Sequence, residues 1–256
     1  MRWNPAGTTP RGEVLIIPPF GEEMNRARRQ LALAGQAFAA QGLGTSVLDP
    51  TGTGDSDGAF ADATIDLWQD DIRRAIRVIA GRSMAPLTVL GLRLGALLVQ
   101  GAIGGVDQPP RNIVLWQPVA SGEAFLTQIL RIRLAAALGG AGASETTQSL
   151  RQRLSGGETL EIAGYPITSA LAAGLDQLRL AEPPKGCRTA WIEVGSEALG
   201  EIGPAGMRWI ERWRQAGHSV TAATVAGPPF WSLMETETAP QMIAATLAFI
   251  TEPVTA

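Results

Sequence analysis

Short apolar runs rich in β-branched residues, alternating with stretches of helical periodicity, constrain this chain more than any other feature. Residues 13–18 read EVLIIP, a buried strand that stops at Pro18-Pro19. Gly21 then opens a helix in which Met24, Ala27, Leu31, Ala34 and Phe38 recur on one face, and Gly42 ends it. A second strand is predicted over 45–49 and leads into the turn-rich loop PTGTGDSDG. A helix follows over about 66–80, with Leu67, Ile72, Ile76 and Ile79 inward. Residues 86–90 form the third strand, running straight into the apolar helix of GLRLGALLVQGAI, and 113–116 form the fourth. Continuous apolar strands separated by helices argue for an α/β fold, a mostly parallel sheet covered on both faces.

The alternation breaks after Gln117-Pro118. From 119 to 184 only helical patterns are legible: EAFLTQILRIRLAAAL, SLRQRLS and ITSALAAGLDQLRL, separated by GGAGAS and SGGETLEIAGYP. This segment reads as a helical cap inserted between two strands. It divides the sheet-forming core into a first part, 1–118, and a second part, 185–256. In the second part 189–194 is a strand, 204–216 a helix, 219–225 a strand and 240–250 the closing helix.

Composition removes several function classes. With 256 residues, 45% of them hydrophobic and 18% charged, the chain buries a sizeable core. Its 21 basic and 24 acidic residues leave a net charge of -3, which gives no footprint for nucleic acid. One cysteine, Cys187, and one histidine, His218, exclude a disulfide framework and argue against a cysteine- or histidine-built metal site. No apolar run approaches the roughly 18–20 residues of a transmembrane segment, and MRWNPAGTTPRGE lacks the apolar centre of a signal peptide. The expectation is a cytoplasmic protein without a cofactor. Its partner is a small-molecule or acyl-bearing ligand, and homodimerisation is compatible with the sequence.

In an open α/β sheet the ligand sits at the carboxyl ends of the strands. The segment after the third strand is the informative one. A strand that ends in G-x-S-x-G and turns directly into a helix is the nucleophile elbow of the α/β-hydrolase fold. This chain has the strand, Gly91, Gly95 and the helix, but Arg93 stands in the serine's place. The loop after the last strand, Gly227-Pro228-Pro229-Phe230-Trp231, holds no histidine. His218 falls in the turn before that strand, at the opposite edge of the sheet, and reads as an exposed turn residue. A serine–histidine–acid triad is therefore absent, and an arginine, protonated at any working pH, does not replace its nucleophile.

The segments PPFGEEMNRARR, GTGDSDG, GLRLGALL, WQPVASGEAFL, EIAGY and GPPFW together resemble the second type of hydrolase associated with the exosortase A system, a bacterial α/β-hydrolase family encoded beside exopolysaccharide and protein-sorting genes. The resemblance runs from about Gly12 to the last helix. It implies an α/β-hydrolase fold in which Arg93 and Pro229 belong to the family pattern. The chain departs from the fold at its start: so little precedes the first strand that the usual leading strand pair must be shortened or missing.

Arg93, beside a helix N-terminus, is disposed to hold a carboxylate or phosphate. Glu22 and Glu23 follow the first strand and Glu235 and Glu237 the last, so Arg93 is equally expected to pair with one of these glutamates. For catalysis the candidates are Arg93 as electrophile and Glu23 or Glu235 as base. For substrate binding they are Phe20, Glu22, Asn25, Asp55, Ser56, Leu94 and Trp231. Asp55 and Ser56 carry a competing reading, since such residues in turns bond their own backbone. Cys187, at the start of a strand with no base nearby, reads as a packed thiol. Three functions follow: a hydrolase or acyl transferase using direct water attack on an anionic or acyl-bearing substrate, a silent pseudo-hydrolase that binds such a ligand, and, behind both, an interaction protein working through its cap.

Overall fold

The computed structural model describes residues 1–7, 9–137, 145–195 and 200–252. The expected separator GGAGAS and the last residue of the helix before it lie outside the described residues. Strand β1 (Arg2–Trp3) is followed by β2 (Gly12–Ile17), α1 (Glu22–Ala40), β3 (Leu43–Val47) and α2 (Ile65–Arg82). Then come β4 (Leu87–Leu92), α3 (Leu94–Ile103) and β5 (Asn112–Trp116). The strands join in the order β1-β3-β2-β4-β5-β8-β9, where β8 is Arg188–Gly195 and β9 is Ser219–Ala226. Every pairing in this sheet is parallel except that of β1. The two residues of β1 pair antiparallel with β3.

Side chains alternate between two apolar layers, as a sheet buried on both faces requires. Val14, Ile16, Leu90, Leu92, Val114 and Trp116 point to one layer. Leu15, Ile17, Val89, Ile113 and Leu115 point to the other. The first layer is covered by α1 and by α8 (Pro240–Thr251). The predicted face of α1 is the one that packs: Met24, Ala27, Leu31, Ala34 and Phe38 are all buried. Beside it the buried Gln30 binds both backbone groups of Ala239, donating to its carbonyl and accepting from its amide at 2.9 Å each. This ties the middle of α1 to the start of α8. The second layer is covered by α2, α3 and α7 (Pro204–Gln215). On α2 it is Trp68 rather than Leu67 that is fully buried, because the helix starts at Ile65 behind a Thr64 cap.

Between β5 and β8 lie α4 (Gly122–Ala137), α5 (Thr147–Ser155) and α6 (Ser169–Gln177). The sequence suggested helices alone here, and the structure corrects this. Strands β6 (Leu160–Ile162) and β7 (Tyr165–Ile167) form an antiparallel hairpin. Its two-residue turn, Ala163-Gly164, has positive φ at both positions, 51° and 82°, the geometry that closes tight hairpins. The inserted segment shares the second apolar layer, through Phe125, Leu130, Leu150, Ile162, Ile167 and Leu175. It therefore sits over the carboxyl edge of the sheet with its own apolar face turned down.

Candidate functional site

Strand β4 ends at Leu92 and α3 begins at Leu94, with Arg93 alone between them. The sharp turn expected at 92–94 is present. Arg93 has φ 56° and ψ −119°, a backbone region that costs a residue with a side chain on the order of 1–3 kcal/mol. The surroundings hold it there. A Cβ on Gly91 would sit 2.5 Å from the Ala96 Cα, and one on Gly95 would run into the carbonyls of Ile17 and Pro18. Gly91 thus lets α3 fold back tightly on β4, and Gly95 lets it lie directly against the end of β2. The Arg93 amide donates to the Trp116 carbonyl at 2.9 Å, and its own carbonyl accepts from the Ala96 amide at 3.1 Å. The turn also lies where strand order reverses, between β2 and β4, the crevice in which open α/β sheets hold their ligands.

The Arg93 side chain meets Glu23 from the first turn of α1. Nε and Nη2 both donate to Glu23 Oε1, at 3.3 and 3.1 Å. Nη2 also donates to Gln128 Oε1 on α4 at 3.1 Å, so one guanidinium joins β4, α1 and the insertion. The Trp231 ring lies 5.4 Å from the guanidinium carbon, within cation–π range. The side chains of Arg93 and Glu23 are only 12% and 16% exposed. Glu23 Oε2 is buried and has no hydrogen-bond partner among the described residues. Burial raises the Glu23 carboxyl above its ordinary protonation range, more than the Arg93 charge and hydrogen bonds lower it.

Beside this pair a small, partly open cleft of about 50 Å³ runs between the loop after β2 and the insertion. Phe20, Phe125, Ile129, Ile132, Ile162 and Ile167 make it apolar, and Glu22, Glu23 and Gln128 supply its polar side. Phe20 is wedged against Phe125 (5.4 Å between ring centroids), Phe60 and Trp68 (5.7 Å each). Asn25 bridges the same wall, its Nδ2 donating to Tyr165 Oη at 2.8 Å and to Glu22 Oε1 at 3.3 Å. Sequence reasoning missed Gln128 and Tyr165. Gln128 carries only a weak signal, a polar side chain one turn from Phe125 and beside Ile129 on a helix that also bears Glu123, Thr127, Arg131 and Arg133.

Other expected residues do not join the pair. Leu94 is fully buried, so its side chain packs in the core and only its backbone amide is at the turn. Glu235 is exposed and makes no ion pair or hydrogen bond with Arg93, because the loop after β9 reaches the arginine through Trp231 instead. Ser56 Oγ donates to the carbonyls of Pro50 (2.6 Å) and Thr53 (2.8 Å), and the Asp55 amide donates to Asp49 Oδ2 at 3.2 Å. Both therefore serve the turn, and Asp55 borders a separate groove with Met1, Trp3, Arg28 and Arg29.

No protein-family model and no curated protein matches the chain. Solved structures do match over nearly their whole length. Est1E from Butyrivibrio proteoclasticus shares 14% identity over 96% of this chain and 90% of that one, with a TM-score of 0.63. A highly thermostable carboxyl esterase from Bacillus coagulans, in complex with glycerol, shares 14% identity over 97% and 92%, with a TM-score of 0.62. Alpha/beta hydrolase domain-containing protein 10 from mouse shares 16% identity over 98% and 90%, with a TM-score of 0.54. The chain has the α/β-hydrolase fold.

In an α/β-hydrolase fold the turn at Arg93 is the place of the nucleophile, and the chemistry left there is a cation, a carboxylate and an amide. His218 stands at the amino edge of β9, far from covalent use. It is not the exposed residue expected, since its side chain is 8% exposed and its Nε2 lies 3.7 Å from Glu182. Cys187 is buried, its Sγ donates to the Pro110 carbonyl at 2.9 Å, and burial raises its thiol. Among the described residues no group of three or more metal-binding side chains gathers, and no helix is long and apolar enough to cross a membrane.

Proposed function

We propose that this chain is a pseudo-hydrolase that binds a small, acyl-bearing or similarly apolar ligand non-covalently. The segment 119–184 acts as the cap over the ligand. The observation that carries the reading is Arg93: it fills the nucleophile position and is tied into an ion pair with Glu23 beside an apolar cleft. A serine ester intermediate has no place to form, while a cleft walled by aromatic and aliphatic side chains with a few polar groups suits ligand binding. The likeness of EEMNRARR and GLRLGALL to exosortase-associated hydrolases supports placing the ligand in cytoplasmic exopolysaccharide or protein-sorting chemistry. Nile red, a neutral apolar dye, tests the reading. It should bind the protein with enhanced fluorescence, and Ile132→Trp, at an exposed cleft position, should weaken that binding several-fold. Nile red binding that is absent, or indifferent to Ile132→Trp, would sink the proposal.

A second reading is favoured by one observation, the buried and unpartnered Oε2 of a carboxylate whose protonation range is raised. Such a group suits a general base. Here water attacks an ester carbonyl polarised by Arg93, Glu23 takes the water's proton, and the acyl C–O bond breaks as Glu23 returns that proton to the departing alcohol. Hydrolysis of p-nitrophenyl butyrate that survives serine-directed inhibitors and vanishes in Glu23→Gln would support turnover. Activity that persists in Glu23→Gln would exclude it.

A further inference from the structure

We infer that the ligand's head is a neutral hydrogen-bond donor, a hydroxyl in its simplest form, and not the anion that Arg93 alone suggests. The inference rests on the cleft-binding reading and adds what the cleft selects. Charge balance comes first. Arg93 is already neutralised by Glu23, and the charged side chains lining the cleft are Glu22 and Glu23, with no cation among them. Glu22 is itself engaged, 3.6 Å from Arg26 and accepting from Asn25. A carboxylate head would bring a negative charge beside a neutral pair and close to a second carboxylate, Glu22. A neutral head leaves the balance intact.

Hydrogen-bond demand points the same way. Glu23 places both Arg93 bonds on Oε1, which leaves Oε2 an acceptor without a donor in a place where water barely reaches it. A buried acceptor left unpaired is costly, and hydrogen bonds to a charged group are among the stronger ones. Oε2 itself is closed off, but Glu23 lines the cleft, so a ligand O–H or N–H held there meets Oε2 once the carboxylate rotates towards the opening. An ester or carboxylate oxygen, which only accepts, cannot. The apolar remainder of such a ligand lies along Phe20, Phe125, Ile129 and Ile167.

Displacement of Nile red by octanol, octylammonium and octanoate at neutral pH tests the inference. The three share one chain and differ only in the head. Octanol should bind at least about tenfold more tightly than octanoate, the ratio expected of one hydrogen bond to a buried charge. Octylammonium should not exceed octanol. In Glu23→Gln the order should invert towards octanoate, because Arg93 loses its carboxylate partner and becomes the anion site. Octanoate equal to or tighter than octanol on the unaltered protein overturns the inference but leaves the cleft reading standing, as does octylammonium tenfold tighter than octanol. Displacement by none of the three, with dye binding indifferent to Ile132→Trp, overturns the cleft reading itself. The ranking on the unaltered protein is decisive if Glu23→Gln does not fold.

Discussion

Replacing Arg93 by methionine isolates what the elbow arginine does for the fold. Methionine keeps the Cβ, so the strained backbone at φ 56° is unchanged, and it keeps most of the bulk. What disappears is the charge, with its two bonds to Glu23, one to Gln128 and its position near Trp231. Removing one partner of a buried ion pair typically costs about 3–5 kcal/mol, mostly for the charge left behind. Here the side chains are 12% and 16% exposed, and Glu23, already raised by burial, can take up a proton, so about 2–4 kcal/mol is the expected loss. For a domain of this size that lowers the melting temperature by roughly 5–15 °C. Adding Glu23→Gln should return most of it, because the orphaned carboxylate is gone, and the double-variant cycle should give a coupling of about 1–3 kcal/mol. Thermal or urea unfolding of the single and double variants measures this. The reasoning is refuted if Arg93→Met is as stable as the unaltered protein, or if Glu23→Gln leaves its loss unchanged.

Three further outcomes follow from the same geometry. Because Glu23 is raised in the folded protein, the unfolded chain releases that proton first as pH climbs. Its contribution to stability is therefore full below the ordinary carboxylate range and is lost as pH rises through the raised folded value. Comparing unfolding free energies of the unaltered protein and Glu23→Gln across mildly acidic to neutral pH should show that slope only with Glu23 present; an identical pH profile for both would contradict the burial argument. Gly95→Ala should destabilise by about 3 kcal/mol or more, since its Cβ meets two backbone carbonyls that cannot swing away, and a melting temperature within a degree or two of the unaltered value would mean the elbow is not held as described. Fluorophosphonate probes should label no serine, either in the unaltered protein or in Arg93→Ser, for want of a histidine at the loop after β9; stoichiometric labelling of either would show an undetected base.

The parts of the fold legible in the sequence were those written by repetition. The central strands β2, β4 and β5 are largely apolar runs, and the buried face of α1 recurs at helical spacing, so residues such as Ile16 and Phe38 declare their own burial. The β6–β7 hairpin was not legible, because its strands have three residues each and its turn is Ala163-Gly164, without the asparagine or aspartate that signals such turns. Two-residue β1 is too short to have a period at all. The site divides along the same line. The place of Arg93 could be read from its flanking glycines, because the turn forces them locally. Which glutamate meets it could not, since Glu23 and Glu235 both follow strand ends and their approach is decided by distant contacts. Gln30 clamps α1 to Ala239 on the same face of the sheet, while the 229–232 loop turns Trp231 inward and leaves Glu235 in solvent. That choice gives the site its character. An arginine paired with Glu235 would have left Glu23 unopposed beside the cleft; paired with Glu23, it leaves one buried carboxylate oxygen without a donor among the described residues.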